Sequence, residues 1–223
     1  RLPLDHPEGE LEVAILKKLG IQSDKLLGYS VYKRSYDARR KNNIKLIYSL
    51  NVEVTQEKEI LQRKRKDNTI RLAPDTNYKF VTQAPDNFSQ RPLVIGAGPC
   101  GLFAGLVLAQ MGFNPIIIER GKRVQERTVD TFAFWRQRKL NPESNVQFGE
   151  GGAGTFSDGK LHTLTKDKNH LGRKVLTEFV EAGAPKEILY ISKPHIGTLK
   201  LVKIVERMRN KIQDLGGEFF FQS

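Results

Sequence analysis

The sequence predicts an α/β protein with two domains: a small α+β domain of βαββ, ferredoxin-like type over residues 1–85, and a Rossmann-like domain with a parallel sheet over 92–223. Two short apolar runs, LVI at 93–95 and III at 116–118, are typical of buried parallel strands. A glycine-rich turn and an apolar, helix-forming segment separate the two runs. This order of elements is the βαβ unit of doubly wound sheets.

The N-terminal part has a different pattern. Apolar residues at helical spacing predict a first helix that ends at Gly20. Two runs rich in β-branched and aromatic residues, separated by the charged segment SYDARRKNN, predict two strands. The predicted elements are a helix over 11–19, strands over 29–32 and 44–54, and a charged helix from 55 to about 66. Three prolines among polar residues at 73–92 predict a linker that ends near residue 91.

Composition restricts the class of protein and the kinds of site. A chain of 223 residues with 39% hydrophobic residues can form one large or two small globular domains. The single cysteine, Cys100, excludes an internal disulfide, a CxxC redox pair and a cysteine-rich zinc site. We therefore expect no metal site and a reducing, cytoplasmic location, with neither a membrane span nor a signal peptide.

The net charge of +12 is compatible with an anionic partner. The positive charge is spread over both halves of the chain, whereas nucleic-acid-binding domains usually concentrate it on one face. One basic run in the N-terminal domain is a candidate RNA or anion site, and it comprises Lys33, Arg34, Arg39, Arg40 and Lys41. The favoured interpretation is a solvated hairpin or a docked face, so nucleic acid is not the expected partner.

The stretch GAGPCG after the first apolar run matches the dinucleotide-binding fingerprint GxGxxG. In that fingerprint Gly96 forms a tight turn, Gly98 lets the backbone approach a pyrophosphate, and Gly101 lets the helix pack on the strand. The start of the helix, with Pro99 and Cys100, offers amides and a positive dipole end to phosphate charge. Cys100 is interpreted as a small residue that fits there, not as a catalytic thiol.

Glu119 ends the second apolar run, where the fingerprint places a carboxylate that accepts hydrogen bonds from the ribose hydroxyls of an adenosine. A carboxylate at this position also disfavours a 2′-phosphate. Because FAD and NAD share the fingerprint, the choice between them needs features outside it.

The segment GEGGAGTFSDGKL at 149–161 has two interpretations. Its last part, GTFSDGK, is one residue short of the P-loop pattern GxxxxGK[ST]. However, Leu161 stands where a P-loop needs a hydroxyl for Mg²⁺, and the preceding residues 144–148 are short and polar, unlike a buried strand. The favoured interpretation is a loop whose glycines let the backbone approach a flat, extended ligand, with amides for a pyrophosphate or for flavin carbonyls.

Together these motifs resemble the FAD-dependent dehydrogenases, an NAD(P)/FAD-dependent oxidoreductase family of largely uncharacterised bacterial flavoproteins. The matching motifs are GAGP, ERG at 119–121, ESNVQFGEGGAGTFSDGKL at 143–161, KPHIGT at 193–198, and the N-terminal KRSYDARR and IYSLNVEV. The resemblance therefore covers, in effect, the whole chain. A signature of this length behind the fingerprint is far more specific than GxGxxG alone.

The resemblance implies an FAD-dependent oxidoreductase in which the flavin performs hydride or electron transfer, with NAD(P)H as a donor to the full-length protein. It implies that FAD is bound by Gly96, Gly98, Pro99, Cys100, Gly101, Glu119, Arg120, Gly121, Arg127, Gln147, Gly149, Gly151, Gly152, Ala153, Gly154, Thr155, Ser157, Asp158, Gly159 and Lys160. The substrate and the oligomeric state are not predicted. The alternative is a binding module, in which the basic N-terminal unit binds RNA or another anion and the flavin domain is regulatory or degenerate.

The pattern leaves the catalytic residues open. Lys160 is a candidate for stabilising the negative charge of reduced flavin, and a solvated lysine is the competing interpretation. His162 follows the glycine loop closely and is a candidate acid, whereas His195 is interpreted as part of a structural turn.

The C-terminal residues predict a helix capped by Thr198 and a third parallel strand over 219–221. The family implies later strands and a substrate-facing domain, and this sequence ends before them. We therefore expect it to be an N-terminal portion of a longer flavoprotein, either a cloned fragment or a truncated gene.

Overall fold

The computed structural model describes residues 1–161, 163 and 165–223 and shows a mixed α/β protein with two compact units. One unit comprises residues 1–76 and 189–192, and the other comprises 77–188 and 193–223. The first contains β1 (Leu2–Pro3), α1 (Glu10–Leu19), β2 (Leu26–Asp37), β3 (Lys45–Val54) and α2 (Glu57–Arg63). The second contains β4 (Leu93–Ile95), α3 (Pro99–Gln110), β5 (Ile116–Glu119), α4 (Val124–Gln137), α5 (Leu171–Glu181), α6 (Thr198–Asp214) and β6 (Glu218–Phe221).

The first unit is a three-stranded antiparallel sheet with two helices. The strand order is β1, β3, β2. Ile15 and Leu19 of α1 and Ile60 of α2 are buried against apolar side chains of the sheet, because alternate residues of a strand face the same side. The observed order β1, α1, β2, β3, α2 begins with the predicted βαββ order, although the individual residues predicted no strand before α1, and Gly20 ends α1 with a φ of 68°.

Strand β2 is longer than the sequence predicted, because it includes the first residues of the charged segment SYDARRKNN. The strand continues to Asp37, which pairs with Lys45 of β3. Charged residues do not end an antiparallel strand when one face of its sheet is solvated, so the backbone ladder extends through them.

The last part of the predicted linker is described throughout and contains no helix or strand, yet it is fixed to the second unit. The Lys174 ammonium lies 5.3 Å from the centre of the Tyr78 ring and 5.2 Å from that of Phe80. The Phe88 ring packs edge-on against Phe113. This part of the chain is therefore held in place by side-chain contacts. Its lack of hydrophobic periodicity gave no sign of these contacts.

The second unit is built on a three-stranded parallel sheet in the order β4, β5, β6. Ile95 lies opposite Ile118, and Ile118 lies opposite Phe220. The strands predicted from the two apolar runs and from residues 219–221 are thus confirmed. Helices α3 and α6 cover one face of the sheet, where Ile117 is fully buried among their apolar side chains.

The other face of this sheet is open. The side chains of Leu93, Ile95 and Phe220 are exposed, Ile95 to 80%. Within the described residues, the outer edge of β4 pairs with no strand. Parallel sheets are ordinarily covered on both faces, and among the described residues this apolar face has no covering layer.

Helix α6 begins where the sequence predicted, but Thr198 does not cap it. The capping residue is Gly197, and the Thr198 hydroxyl instead donates a hydrogen bond to the carbonyl of Ser157. The amide of Ile196 likewise donates to the carbonyl of Gly159 at 3.0 Å. The Thr198 hydroxyl therefore binds the neighbouring loop and not the amides at the start of α6, and local sequence does not show this.

We predict that Gly101→Ala strongly destabilises the protein. A Cβ at Gly101 would lie 1.8 Å from the carbonyl oxygen of Gly96, so α3 would have to move away from the sheet. The expected loss is about 3 kcal/mol in the free energy of unfolding, measured by urea denaturation. The control is Gly98→Ala, where a Cβ meets no atom closer than 4.0 Å and the loss should stay below about 1 kcal/mol. Equal losses for the two variants would contradict this account.

Candidate functional site

The turn between β4 and α3 presents free amides at the start of a helix. Gly96 has a φ of 92° and donates its N–H to a carbonyl of β5 at 2.7 Å. Gly98 is the N-cap of α3, and Pro99 occupies the first helical position, where no amide is needed. In the described part of the chain the amides of Cys100 and Gly101 have no acceptor, as expected for a first turn. They are available to an anion.

Gly98 differs from Gly101 because the fold itself does not require a glycine there. Its φ is −70°, which any residue adopts, and a Cβ would meet only the Cα of Gly152, at 4.0 Å. Gly154 is similar, since a Cβ there would meet no atom within 4 Å. Packing within the chain therefore does not explain why these two positions are glycine.

Glu119 is buried at the end of β5 and joins two parts of the site. Its Oε2 accepts a hydrogen bond from the Ala97 amide at 2.7 Å, and its Oε1 accepts one from the Gly121 amide at 2.8 Å. An ionised carboxylate has about four acceptor positions, so both oxygens retain capacity for a further donor such as a hydroxyl.

A groove of about 250 Å³ opens at the carboxyl ends of β4 and β5. Two separate parts of the chain border it: Gly96, Gly98 and Glu119 from the first, and Gln147, Gly149 and Gly152 from the second. The amide of Gly151 donates to the carbonyl of Ala97 at 2.7 Å and so joins the two parts. The structure thus brings the fingerprint and the start of the glycine loop to one concave surface, where open α/β sheets bind ligands.

Arg120 and Phe148 form one wall of this groove. The Arg120 guanidinium lies 4.0 Å from the centre of the Phe148 ring and pairs with Glu143 at 2.9 Å. Both side chains are exposed. Phe148 was not among the predicted site residues, because an aromatic residue in a polar loop gives no signal before the loop is folded.

Arg127, predicted as a cofactor ligand, is fully buried and does not border the groove. Its Nε donates to the carbonyl of Asn145 at 2.7 Å, and its two terminal nitrogens donate to those of Glu150 and Val146 at 2.7 and 2.8 Å. Burial lowers the pKa of Arg127 to about 10, so the guanidinium stays charged at neutral pH. The side chain therefore holds the loop from beneath.

Packing explains three of the predicted glycines. A Cβ at Gly149, where φ is 116°, would lie 2.5 Å from the Cδ of Arg127. A Cβ at Gly151 would lie 2.1 Å from the Oγ1 of Thr155, and one at Gly121 would lie 2.5 Å from the Cα of Gly149. These residues shape the groove through close contacts within the protein.

The rest of the predicted loop does not border the groove. Residues Ala153–Phe156 form a short 3₁₀ helix, and the Ser157 hydroxyl donates to the carbonyl of Gly154 at 2.7 Å. Lys160 forms an ion pair with Asp158 at 2.7 Å and its side chain is 65% exposed. The hydrogen bond between these two groups raises the pKa of Lys160 and lowers that of Asp158.

The candidate acid His162 lies outside the described residues. Lys160 forms an isolated β-bridge with His195, so the backbone of the loop is paired there. The next helix, α5, begins only at Leu171. A P-loop needs a helix directly after its lysine, and the described residues after Lys160 do not form one.

The basic run of the first unit is partly engaged within the unit. Arg39 forms a bidentate pair with Asp37 at 2.7 and 2.6 Å, which lowers the pKa of Asp37 to about 2. The Arg34 guanidinium lies 5.2 Å from the centre of the Tyr190 ring. Within the described residues, no group of three His, Cys, Asp or Glu side chains could hold a metal, and no helix has the length and apolarity to cross a membrane.

Two comparisons relate the chain to known proteins. Residues 1–53 match the family model described as a domain of unknown function, DUF8436. An uncharacterized protein of Clostridium beijerinckii is 45% identical over 222 residues, which is all of this chain and 41% of that protein. The chain thus spans less than half the length of this relative.

We predict that Arg127→Met destabilises the loop at 145–150 more than the same replacement of an exposed arginine does. Methionine fills part of the space but leaves two buried carbonyls and one partly buried carbonyl without their donors, so the expected loss is about 4 kcal/mol in the free energy of unfolding. Limited proteolysis should show earlier cleavage in this loop. Arg136→Met on the exposed side of α4 is the control, and a similar loss for both variants would contradict the role of Arg127.

Proposed function

We propose that the protein is an FAD-dependent oxidoreductase that binds the adenosine diphosphate half of FAD in the groove at the ends of β4 and β5. The observation that carries this proposal is Gly98, which borders the groove and which the fold does not require to be glycine. Close approach of a ligand to the backbone is a physical reason for a glycine at such a position.

The polar groups around the groove fit the charges and hydroxyls of this half of FAD. The amides of Cys100 and Gly101 in the first turn of α3 suit a pyrophosphate, because they carry the positive end of the helix dipole. The Glu119 carboxylate suits the two ribose hydroxyls. This pairing of a free helix start with a carboxylate one strand away fits the pyrophosphate and the ribose of an adenosine diphosphate group.

FAD is preferred over NAD because of the glycine loop. Gln147, Gly149 and Gly152 border the same groove as the fingerprint, and the signature at 143–161 resembles that of FAD-dependent dehydrogenases. The bound flavin would supply the hydride or electron transfer, while the chain binds and orients it. A nicotinamide dinucleotide is a candidate donor, and the substrate class stays open.

Catalytic residues are not assigned within this proposal. Lys160 is exposed and pairs with Asp158. The carboxylate offsets the positive charge with which Lys160 would otherwise stabilise a reduced flavin. A reducing, cytoplasmic location remains part of the proposal, on the strength of the single cysteine, Cys100, which is exposed and free.

RNA binding by the first unit is the weaker alternative. The sheet face opposite the helices carries Ser30 paired with Asn51, and Lys33 paired with Ser49. Sheets that bind RNA sequence-specifically stack bases on aromatic side chains, and these pairs offer none.

The test is FAD binding by the chain and by Gly98→Ala. The purified protein is mixed with FAD, freed of excess, and its visible absorption spectrum is recorded. We expect retained flavin bands for the unaltered chain and an affinity about tenfold weaker for Gly98→Ala, because the new methyl group occupies ligand space. The control is Gly28→Ala in β2, where a Cβ meets no atom closer than 4.0 Å. If the chain binds neither FAD nor ADP, the proposal is wrong for these residues.

A further inference from the structure

Glu150 is the only residue of the loop 149–152 that has a side chain, and this side chain is completely buried. It did not figure among the predicted site residues, because a carboxylate between glycines reads as a solvated loop residue. Burying a carboxylate is costly unless it is paired and hydrogen-bonded, so its position needs a reason.

Three polar groups of Glu150 attach the loop to the first turn of α4 and to the chain just before it. Its Oε2 accepts a hydrogen bond from the amide of Val124, the first residue of α4, at 2.7 Å. Its main-chain carbonyl accepts from Arg127, one turn later. Its own amide donates to the carbonyl of Lys122 at 3.1 Å. Three independent bonds thus fix one residue of the loop against one helix start.

A second helix is attached through the same oxygen. Arg209 of α6, itself almost fully buried, donates to Oε2 of Glu150 at 2.6 Å. The second oxygen, Oε1, has no partner among the described residues. The pair is therefore a link between α6 and the loop, and removing one partner leaves an uncompensated buried charge.

We propose that Glu150 is a positioning residue that holds the loop 149–152 as one wall of the groove proposed for the adenosine diphosphate half of FAD. This inference rests on the proposed function. Glu150 lies beneath the loop and does not border the groove, so it acts through Gly149 and Gly152, which do. The loop also contacts the fingerprint, because the Gly151 amide donates to the carbonyl of Ala97 at 2.7 Å and Gly152 lies beside Gly98.

The proposal predicts the same effect on two ligands. Loss of the Glu150 side chain should weaken FAD and ADP binding alike, because both ligands would place the adenosine diphosphate group in the groove that the loop borders. A merely structural role would instead lower the free energy of unfolding without changing the affinity of the folded protein for either ligand. Glu150→Gln keeps an acceptor for the Val124 amide and for Arg209, whereas Glu150→Ala removes it.

The experiment measures FAD and ADP affinities by calorimetry for the chain and the two variants. We expect Glu150→Ala to weaken FAD and ADP binding about tenfold, and Glu150→Gln to recover most of this loss. The matched control is Glu178→Gln, which removes a buried carboxylate that pairs with Lys174 and Lys211. Its affinities for FAD and ADP should not change.

Hydrogen exchange without any ligand keeps the inference testable if the proposed function fails or if Glu150→Ala does not fold. In Glu150→Gln, whose side chain keeps the acceptor but loses the charge pairing with Arg209, the amides of Glu150, Gly151 and Gly152 should exchange somewhat faster while those of α3 do not change. Equal exchange in variant and parent, or unchanged FAD and ADP affinities in Glu150→Ala, would overturn the inference. Absence of FAD and ADP binding by the parent, with faster loop exchange in the variant, would instead refute only the proposed function.

Discussion

The buried guanidinium of Arg127 is the interaction on which the geometry of the groove depends. It donates hydrogen bonds to three carbonyls of the loop 145–150, and its stem fills the space that a side chain at Gly149 would need. A loop of this kind has few apolar side chains to bury, so hydrogen bonds to its backbone must hold it. Arginine suits this task because its planar head provides five donors in a fixed arrangement.

Charge balance explains how such a group is tolerated in the interior. Two buried arginines, Arg127 and Arg209, lie with two buried carboxylates, Glu119 and Glu150. Arg209 pairs directly with Glu150, whereas Arg127 uses carbonyl dipoles and receives only longer-range attraction from the carboxylates. Burial raises the pKa of Glu150, and the neighbouring arginines oppose that rise. The loop is thereby connected to both α4 and α6 by buried side chains.

The elements with strong local signals were predictable from sequence. The apolar runs of β4 and β5 and the glycines between them identify the turn, and Gly101 meets the steric condition expected of it. The extent of β2 and the cap of α6 were not predictable, because each depends on a neighbour in space: Lys45 opposite Asp37, and Ser157 beside Thr198.

The sequence by itself determined the order of strands and helices and the glycine turn, because these follow from periodicity and from backbone sterics within a few residues. Only the tertiary structure decided which site residues border the groove and which support it from below. Arg127 lies in a helix and Glu150 in a glycine loop, and local rules predict burial for neither, yet both are buried since their partners come from distant parts of the chain. Burial and hydrogen-bond partners are properties of the fold, and neighbouring residues in the sequence do not reveal them.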